Sequence, residues 1–150
     1  MAYWLMKSEP DEISIDDALS ASTIPWFGVR NYQARNFMRD AMKIGDGVLF
    51  YHSSCAEPGI AGIAEVASTP YPDHTQFDPD SKYYDPKATL ETPRWMMVDI
   101  CAKRKTRLLS LAELRKNEAM ADMVLLQKGS RLSITPVTVS EWKLIQKLLA

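Results

Sequence analysis

The sequence has few residues of the kinds that build disulfide frameworks or metal centres. It contains two cysteines and two histidines among 150 residues. Two cysteines do not make the disulfide framework of a small secreted domain, so we expect reduced thiols. His52 and Cys55 lie three positions apart, but no second pair of ligands follows at zinc spacing. The sequence therefore predicts neither a metal site nor a cofactor.

Long apolar runs are also missing. No apolar stretch approaches the roughly 20 residues that a membrane-spanning helix needs. The first residues lack the basic region and long apolar segment of a secretion signal. A hydrophobic content of 46% with 25% charged residues is typical of globular proteins. We expect residues 1–150 to form a single domain. We also expect the protein to be a monomer without membrane contact and to be cytoplasmic, or nuclear if the cell is eukaryotic.

Excess positive charge is absent as well, since the net charge is −1. This value argues against a protein that binds DNA by general electrostatic attraction. The charges are unevenly distributed, however: residues 94–150 carry eleven basic and five acidic residues, whereas residues 54–93 carry two basic and seven acidic ones. Basic segments can meet on one face of such a chain. A selective nucleic-acid binder with a few phosphate contacts remains compatible with the charge.

The motifs of common enzyme classes are missing too. The sequence has no G-x-S-x-G elbow of a hydrolase and no lysine-containing phosphate loop. Gly45 and Gly47 lack the third glycine and the strand-before-helix context of a dinucleotide site. We therefore predict that the protein is not an enzyme.

Hydrophobic patterns and capping signals predict short strands that alternate with short helices. Ser14 with Asp17, and Ser110 with Glu113, have the spacing of capping boxes. Few uninterrupted β-α-β units appear, which favours an α+β fold with a curled, mostly antiparallel sheet. The predicted strands cover residues 3–7, 48–53, 60–68, 94–107 and 132–137, and the predicted helices cover residues 15–21, 31–42, 111–116, 120–126 and a C-terminal segment capped by Ser140.

Two further segments are candidates for a functional role. Residues 69–93 contain five prolines and several aromatic rings, and long ordered loops of this kind are more often functional than decorative. Residues 26–36 combine aromatic rings, three side-chain amides and two guanidinium groups around Gly28. A flat apolar face beside hydrogen-bonding groups is suited to a planar nucleobase. The alternative is that Trp26 and Tyr32 are core residues at a junction between a loop and a helix.

The motif of residues 26–36, together with residues 3–10, 49–53 and 59–66, resembles the EVE domain. Residues 84–86, 93–95 and 129–137 continue the resemblance, which runs from about residue 3 to the last helix. Phe27 departs from it, since many relatives have Asp or Glu there. The resemblance implies a PUA-like fold, which is a mixed, mostly antiparallel β pseudo-barrel with short helices packed around it. It also implies kinship with YTH domains, which hold a methylated adenine of RNA in an aromatic cage.

The same resemblance implies a pocket for a modified base of DNA or RNA. Trp26 would form one wall, and a second wall would come from the loop after Glu65, with Tyr71 and Phe77 as candidates. Trp95, inside a predicted strand, is expected in the core. The other residues implied to line the pocket or contact the nucleotide are Lys7, Ser8, Glu9, Val29, Asn31, Tyr32, Gln33, Asn36, Tyr51, His52, Ser53, Ser130, Arg131 and Ser133.

The functional prediction is therefore a non-catalytic reader of a modified nucleobase. One alternative is an enzyme or accessory factor that acts on modified nucleotides, for which His52 and Glu9 are the candidate titratable groups. If the protein is not an enzyme, we expect His52 to hydrogen-bond the base or a neighbouring backbone group. Another alternative is a protein-interaction module that uses the acidic loop. The sequence leaves open which base is read and whether it belongs to DNA or RNA.

Overall fold

The computed structural model describes residues 1–129 and 131–150. Ser130, one of the residues expected at the nucleotide, lies outside the described residues. Within the described ranges the strands are β1 (Tyr3–Ser8), β2 (Ile24–Pro25), β3 (Gly47–His52), β4 (Gly59–Val66), β5 (Tyr71–Pro72), β6 (Met96–Met97), β7 (Asp99–Ser110) and β8 (Ile134–Val137). The α-helices are α1 (Ile15–Ser20), α2 (Tyr32–Asn36), α3 (Leu111–Lys116) and α4 (Val139–Leu148).

Six of these strands form one mixed sheet in the order β2-β7-β4-β3-β1-β8, while β5 pairs with β6. β1 runs parallel to β3, with Leu5 opposite Leu49, and the other pairs in the sheet are antiparallel. Register shifts interrupt the pairing of β4 with both of its neighbours, and such irregularities bend strands. The sheet is a half-barrel of the PUA-like type, so the predicted fold class is confirmed.

The sheet separates two hydrophobic cores. Side chains alternate between its faces along each strand, so Trp4 and Met6 enter one core and Leu5 enters the other. The first core also contains the inner faces of α1 and α2, and the second is covered by residues of α3 and α4. Gly62 permits the close approach of α1, because a Cβ there would lie 2.4 Å from Ile15 Cδ1.

Several helix ends match the sequence predictions for a clear local reason. Ser14 and Asp17 form the predicted capping box of α1, and Ser110 caps α3. Asn31 caps α2 by accepting a hydrogen bond from the backbone N–H of Ala34 at 3.0 Å. The chain then continues as a π-helix over Phe37–Ala41, so the predicted helix of residues 31–42 is present with a change of winding.

Other boundaries were predicted wrongly. The C-terminal helix is capped by Thr138 instead of Ser140, because only Thr138 has a glutamate, Glu141, three positions later to complete a capping box. The predicted strand of residues 94–107 is divided into β6 and β7. The predicted helix of residues 120–126 consists of 3-10 turns at Glu118–Met120 and Val124–Leu126.

Candidate functional site

A cavity of about 500 Å³ opens where the ends of β1, β3 and β8 meet the Trp26 segment. The backbone N–H of Lys7 donates to the carbonyl of Ser133 at 2.8 Å, and that of Ser53 donates to the carbonyl of Ser8 at 2.9 Å. These bonds hold three separate parts of the chain at one edge of the sheet. The lining residues are Lys7, Ser8, Glu9, Glu12, Ile13, Pro25, Trp26, Phe27, Gly28, Val29, Arg30, Asn31, Ser53, Ser54, Tyr83, Arg131 and Ser133.

Trp26 is both a wall of this cavity and a member of the first core. Its backbone N–H donates to the carbonyl of Val98 at 2.9 Å, which fixes the segment against the sheet. The indole meets the ring of Phe50 edge to face, with centroids 5.5 Å apart. Only 7% of the residue is exposed. Trp26 therefore borders the cavity and packs in the first core at the same time.

Tyr83 forms a second aromatic side of the cavity. Gly28 has a φ of +85°, and a Cβ there would lie 2.7 Å from Tyr83 Cζ, so the tyrosine ring packs directly on the glycine backbone. The ring of Phe27 meets Tyr83 edge to face with centroids 5.9 Å apart. This aromatic side comes from the 69–93 loop, as expected, but it is built by Tyr83 and not by Tyr71 or Phe77.

Asp73 and Arg30 hold that loop against the Trp26 segment. The buried carboxylate of Asp73 accepts the backbone N–H of Gly28 at 2.7 Å and Nη1 of Arg30 at 3.1 Å. Arg30 also donates to the carbonyl of Tyr83 through Nε at 3.1 Å and Nη2 at 2.8 Å. Burial works to raise the pKa of Asp73, but hydrogen bonds from Thr75, Gly28 and Arg30 outweigh it and hold that pKa below its usual range.

Glu12 lines the cavity and holds the hydroxyl end of Tyr83. The carboxylate accepts the Tyr83 hydroxyl at 3.1 Å and pairs with the ammonium group of Lys82. The hydrogen bond and ion pair with Lys82 lower the pKa of Glu12. Tyr83 is thus held at its ring by Gly28, at its carbonyl by Arg30 and at its hydroxyl by Glu12.

The cavity also contains polar groups that suit a nucleotide. Lys7 and Arg131 line it, and both are basic, while Glu9 and Glu12 are acidic. Partial burial lowers the pKa of Lys7. Hydroxyl groups come from serines, of which Ser8 donates its own hydrogen to the carbonyl of Ile13 at 2.6 Å. The cavity therefore offers donors, acceptors and both signs of charge beside aromatic surface.

Tyr51 and His52 were expected at the pocket, but the structure does not bring them to the cavity. Tyr51 is 3% exposed and belongs to the second core. Nε2 of His52 accepts the backbone N–H of Ile15 at 3.1 Å, at the first residue of α1. Burial lowers the pKa of His52, which suits a neutral ring that accepts a hydrogen bond. Of the two outcomes considered for His52, the contact with a neighbouring backbone group is the one present.

The expected residues on α2 and β5 do not line the cavity either. Tyr32 stacks on Trp95 with centroids 4.7 Å apart, and Asn36 Oδ1 accepts hydrogen bonds from Arg35 at 2.8 and 3.1 Å. Gln33 is exposed on the same helix. Tyr71 donates its hydroxyl to the carboxylate of Asp99, and burial together with this bond raises its pKa to about 12. After Asn31 caps the helix, the chain turns away from the cavity.

Trp95 is 6% exposed, as expected of a core residue, and its Nε1 donates to the Asp85 carboxylate at 2.8 Å. The cavity residues that the sequence did not single out as ligand contacts are Glu12, Ile13, Pro25, Phe27, Gly28, Arg30, Ser54 and Tyr83. The clearest signal for Tyr83 was its place in the proline-rich loop, but the loop holds several rings. Local sequence does not tell which of them reaches Gly28.

Across residues 1–129 and 131–150, no group of three or more His, Cys, Asp or Glu side chains is arranged to hold a metal ion. In the same ranges, the helices are too short or too polar to cross a membrane.

The chain is similar over almost its whole length to characterised families and structures. The EVE domain family model matches residues 2–148. Thymocyte nuclear protein 1 of Homo sapiens is 42% identical over 167 residues, which cover 98% of this chain and 73% of that protein. The Danio rerio protein of the same name is 43% identical, with 97% and 71% covered.

Solved structures show the same similarity in three dimensions. A crystal structure of a Pseudomonas syringae protein has a TM-score of 0.96 and 51% identity, covering 99% of this chain and 100% of that one. Human thymocyte nuclear protein 1 in complex with DNA containing 5-methylcytosine has a TM-score of 0.92 and 43% identity, covering 99% and 97%. With the match to residues 2–148, these similarities establish that the chain belongs to the EVE domain family.

Proposed function

We propose that this chain is a non-catalytic reader that binds a modified nucleobase of DNA or RNA in the cavity beside Trp26. The observation that carries the proposal is the pairing of two aromatic sides, Trp26 and Tyr83, around one polar cavity. The human relative, 43% identical, was crystallised with DNA containing 5-methylcytosine. 5-Methylcytosine is therefore the first modification to test.

The size and lining of the cavity support a ligand of nucleotide dimensions. Its volume of about 500 Å³ lies within the roughly 300–1,000 Å³ of typical small-ligand sites. Aromatic surface contributes stacking, which is worth about 1–3 kcal/mol per base. Lys7 and Arg131 are the candidates for phosphate contacts, and Ser8, Ser53 and Ser133 for hydrogen bonds to the base or sugar.

The energetics favour single-stranded or weakened substrates. Burying one methyl group is worth about 0.8 kcal/mol, roughly a fourfold preference. Flipping a base out of a duplex costs a few kcal/mol, about as much as stacking returns. A reader that works on a duplex must therefore gain additional affinity from contacts to the strand.

The arrangement supports binding over turnover. General acid–base catalysis requires a titratable group within hydrogen-bond reach of the reacting atom. His52 does not line the cavity and its Nε2 is already engaged by Ile15. Glu9 and Glu12 are the carboxylates that line the cavity, and that of Glu12 is engaged by Lys82 and Tyr83. We propose that the protein acts as a monomer and in the cytoplasm, or in the nucleus of a eukaryotic cell.

The decisive experiment compares matched oligonucleotides with and without 5-methylcytosine, as single strands and as duplexes. We expect tighter binding of a modified strand, and loss of that preference in Tyr83→Leu. Tyr84→Leu is the matched control, because Tyr84 is the adjacent loop tyrosine, is 42% exposed and is not a lining residue of the cavity.

Equal affinity of the wild-type protein for every modified and unmodified strand in a panel of common modifications would contradict the proposal. Mass spectrometry of the recovered oligonucleotide tests the absence of catalysis. An altered base that is no longer produced by Glu9→Gln would instead establish an enzyme, since Glu9 is the candidate titratable group that lines the cavity.

A further inference from the structure

A second surface, next to the cavity, has the chemistry of a nucleic-acid contact. Tyr32 is 47% exposed although its ring stacks on Trp95 at 4.7 Å with an interplanar angle of 20°. Cζ of Arg35 lies 4.7 Å from the centre of the Tyr32 ring, and Cζ of Arg94 lies 6.0 Å from it. We refer to Tyr32, Arg35, Arg94 and Trp95 as the Tyr32 patch.

Arg35 is held rigidly in this patch but keeps part of its hydrogen-bonding capacity. Nη1 donates to the carbonyl of Arg94 at 2.6 Å, while Nε and Nη2 donate to Oδ1 of Asn36. A guanidinium group has five N–H donors, so two stay unused by the described residues. Cζ of Arg35 is also 5.9 Å from Trp95. If the Arg35 guanidinium lay on the face of Tyr32 opposite Trp95, its distance from the Trp95 ring would be much greater. Arg35 therefore lies beside the stacked pair of rings.

The charge of Arg35 lacks a paired carboxylate in the part of the chain that the structure describes. Arg30, Arg39 and Arg94 pair with Asp73, Asp40 and Asp85, respectively. Arg35 has no carboxylate oxygen within 4.0 Å among residues 1–129 and 131–150. Burial and the neighbouring charge of Arg39 lower the pKa of Arg35. An anion bound here would relieve repulsion between guanidinium groups as well as supply acceptors.

The Tyr32 patch is continuous with the cavity. Asn31, which directly precedes Tyr32, lines the cavity. Arg30 lines it too, and its Cζ lies 5.3 Å from the Trp95 ring. A nucleic-acid strand with one base in the cavity would therefore carry its neighbouring nucleotide toward the patch.

We propose that the Tyr32 patch binds the sugar–phosphate backbone next to the base held in the cavity, with Arg35 and Arg94 at the phosphate and Tyr32 against the neighbouring nucleotide. This inference rests on the proposed function for the choice of strand. The patch contributes affinity for the nucleic-acid strand, whereas the cavity recognises the modification. Such contacts supply the additional affinity that a reader of flipped bases needs.

The test measures binding of single-stranded oligonucleotides with 5-methylcytosine or cytosine as a function of salt, for Arg35→Gln, Arg35→Lys and Tyr32→Ala. Arg104→Gln is the matched control, because Arg104 is an exposed arginine on β7 whose side chain donates to Gln146. We expect Arg35→Gln to weaken both oligonucleotides about tenfold, the scale of one charge-assisted hydrogen bond. The slope of log K against log salt should fall by about 0.7.

Arg35→Lys should recover most of the salt slope, since it keeps the charge. Free 5-methyl-2′-deoxycytidine has no phosphate, so its binding should be the same in wild type and Arg35→Gln. Inorganic phosphate at constant ionic strength should not displace the oligonucleotide. Thermal unfolding of each variant checks the fold, and Arg94→Gln replaces Arg35→Gln if the latter does not fold.

The proposal fails if Arg35→Gln and Arg94→Gln bind the oligonucleotides as tightly as Arg104→Gln does. It also fails if these variants lose affinity for the methylated strand alone. A wild-type protein without any preference for the modification would refute the proposed reading function, yet a loss on both strands in Arg35→Gln would still establish the patch.

Discussion

The ring of Tyr83 occupies the space that a side chain at Gly28 would need, with Tyr83 Cζ 2.7 Å from the position of a Cβ. These residues are far apart in sequence, yet their contact decides the shape of the cavity. Gly28 adopts a left-handed conformation and has no side chain, so the loop tyrosine can lie flat against the motif that contains Trp26.

Gly28→Ala should therefore damage the binding site more than its backbone strain alone explains. The left-handed conformation costs alanine about 1–2 kcal/mol, and the new methyl group must also push the Tyr83 ring away. We expect the affinity for a methylated oligonucleotide to fall by about 1–3 kcal/mol, the value of one stacking contact. Gly45→Ala is the control, since Gly45 has a φ of +92° and no described heavy atom lies within 4 Å of its Cβ position. Equal affinity of the two variants would argue against a ligand at Tyr83.

Replacement of Trp26 should separate its two roles. Trp26→Ala removes a buried side chain of the first core, so we expect it to lower the free energy of unfolding by about 3–5 kcal/mol. Trp26→Phe keeps an aromatic ring near Phe50 and should cost less stability while it still weakens oligonucleotide binding. Urea unfolding and binding titrations of both variants check this. A loss of less than about 1 kcal/mol in Trp26→Ala would show that the indole is not part of the core.

Asp73→Asn should loosen the loop that carries Tyr83. The variant keeps the shape of the side chain but leaves Arg30 without its counterion, and loss of one partner of a buried pair costs about 3–5 kcal/mol. We expect the lower end, because 22% of the Arg30 side chain is exposed. The pKa of Asp73 is lowered in the folded protein. The contribution of the Asp73 carboxylate to the free energy of unfolding is therefore complete above a pH of about 4, and it is lost as the pH falls further.

The measurement for Asp73→Asn is the free energy of unfolding at pH 7 and in acid, with Asp80→Asn as the exposed control in the same loop. The difference between Asp73→Asn and wild type should be large at pH 7 and shrink in acid. A difference that is constant with pH would contradict the assignment of a charged Asp73.

His52 should make the stability of the protein depend on pH near neutrality. Its pKa is lowered by burial, so the unfolded chain takes up a proton more readily than the folded one. The stabilisation is therefore present above the ordinary pKa of about 6.5 and decreases as the pH falls toward the folded pKa. His52→Gln keeps an acceptor for Ile15 without this titration, and should flatten the dependence between pH 7 and 5.

Chemical unfolding across that range tests His52, with His74→Gln as the control at the other, exposed histidine. If His74→Gln flattens the curve and His52→Gln does not, the buried neutral state of His52 is wrong.

Local sequence was sufficient for much of the scaffold. The boundaries of β1, the capping box of Ser14 with Asp17 and the cap at Asn31 depend on residues a few positions apart, and all three are present. The first half of the Trp26 motif, residues 26–31, lines the cavity. The cap at Thr138, which differs from the predicted cap at Ser140, has an equally local signal, since Glu141 follows it three positions later.

Tertiary contacts alone decided which side chains of these segments meet at the cavity. Asp73 and Gly28 are 45 positions apart, and Tyr83 and Glu12 are 71 apart; no local pattern sets the register of a long proline-rich loop against them. The stacking of Tyr32 on Trp95 joins residues from distant segments in the same way. The sequence by itself determined the family, the strand and helix segments and the motif that borders the cavity. Only the folded chain determined the second aromatic side and the outward patch, because packing across long sequence separations depends on the shapes of all the segments at once.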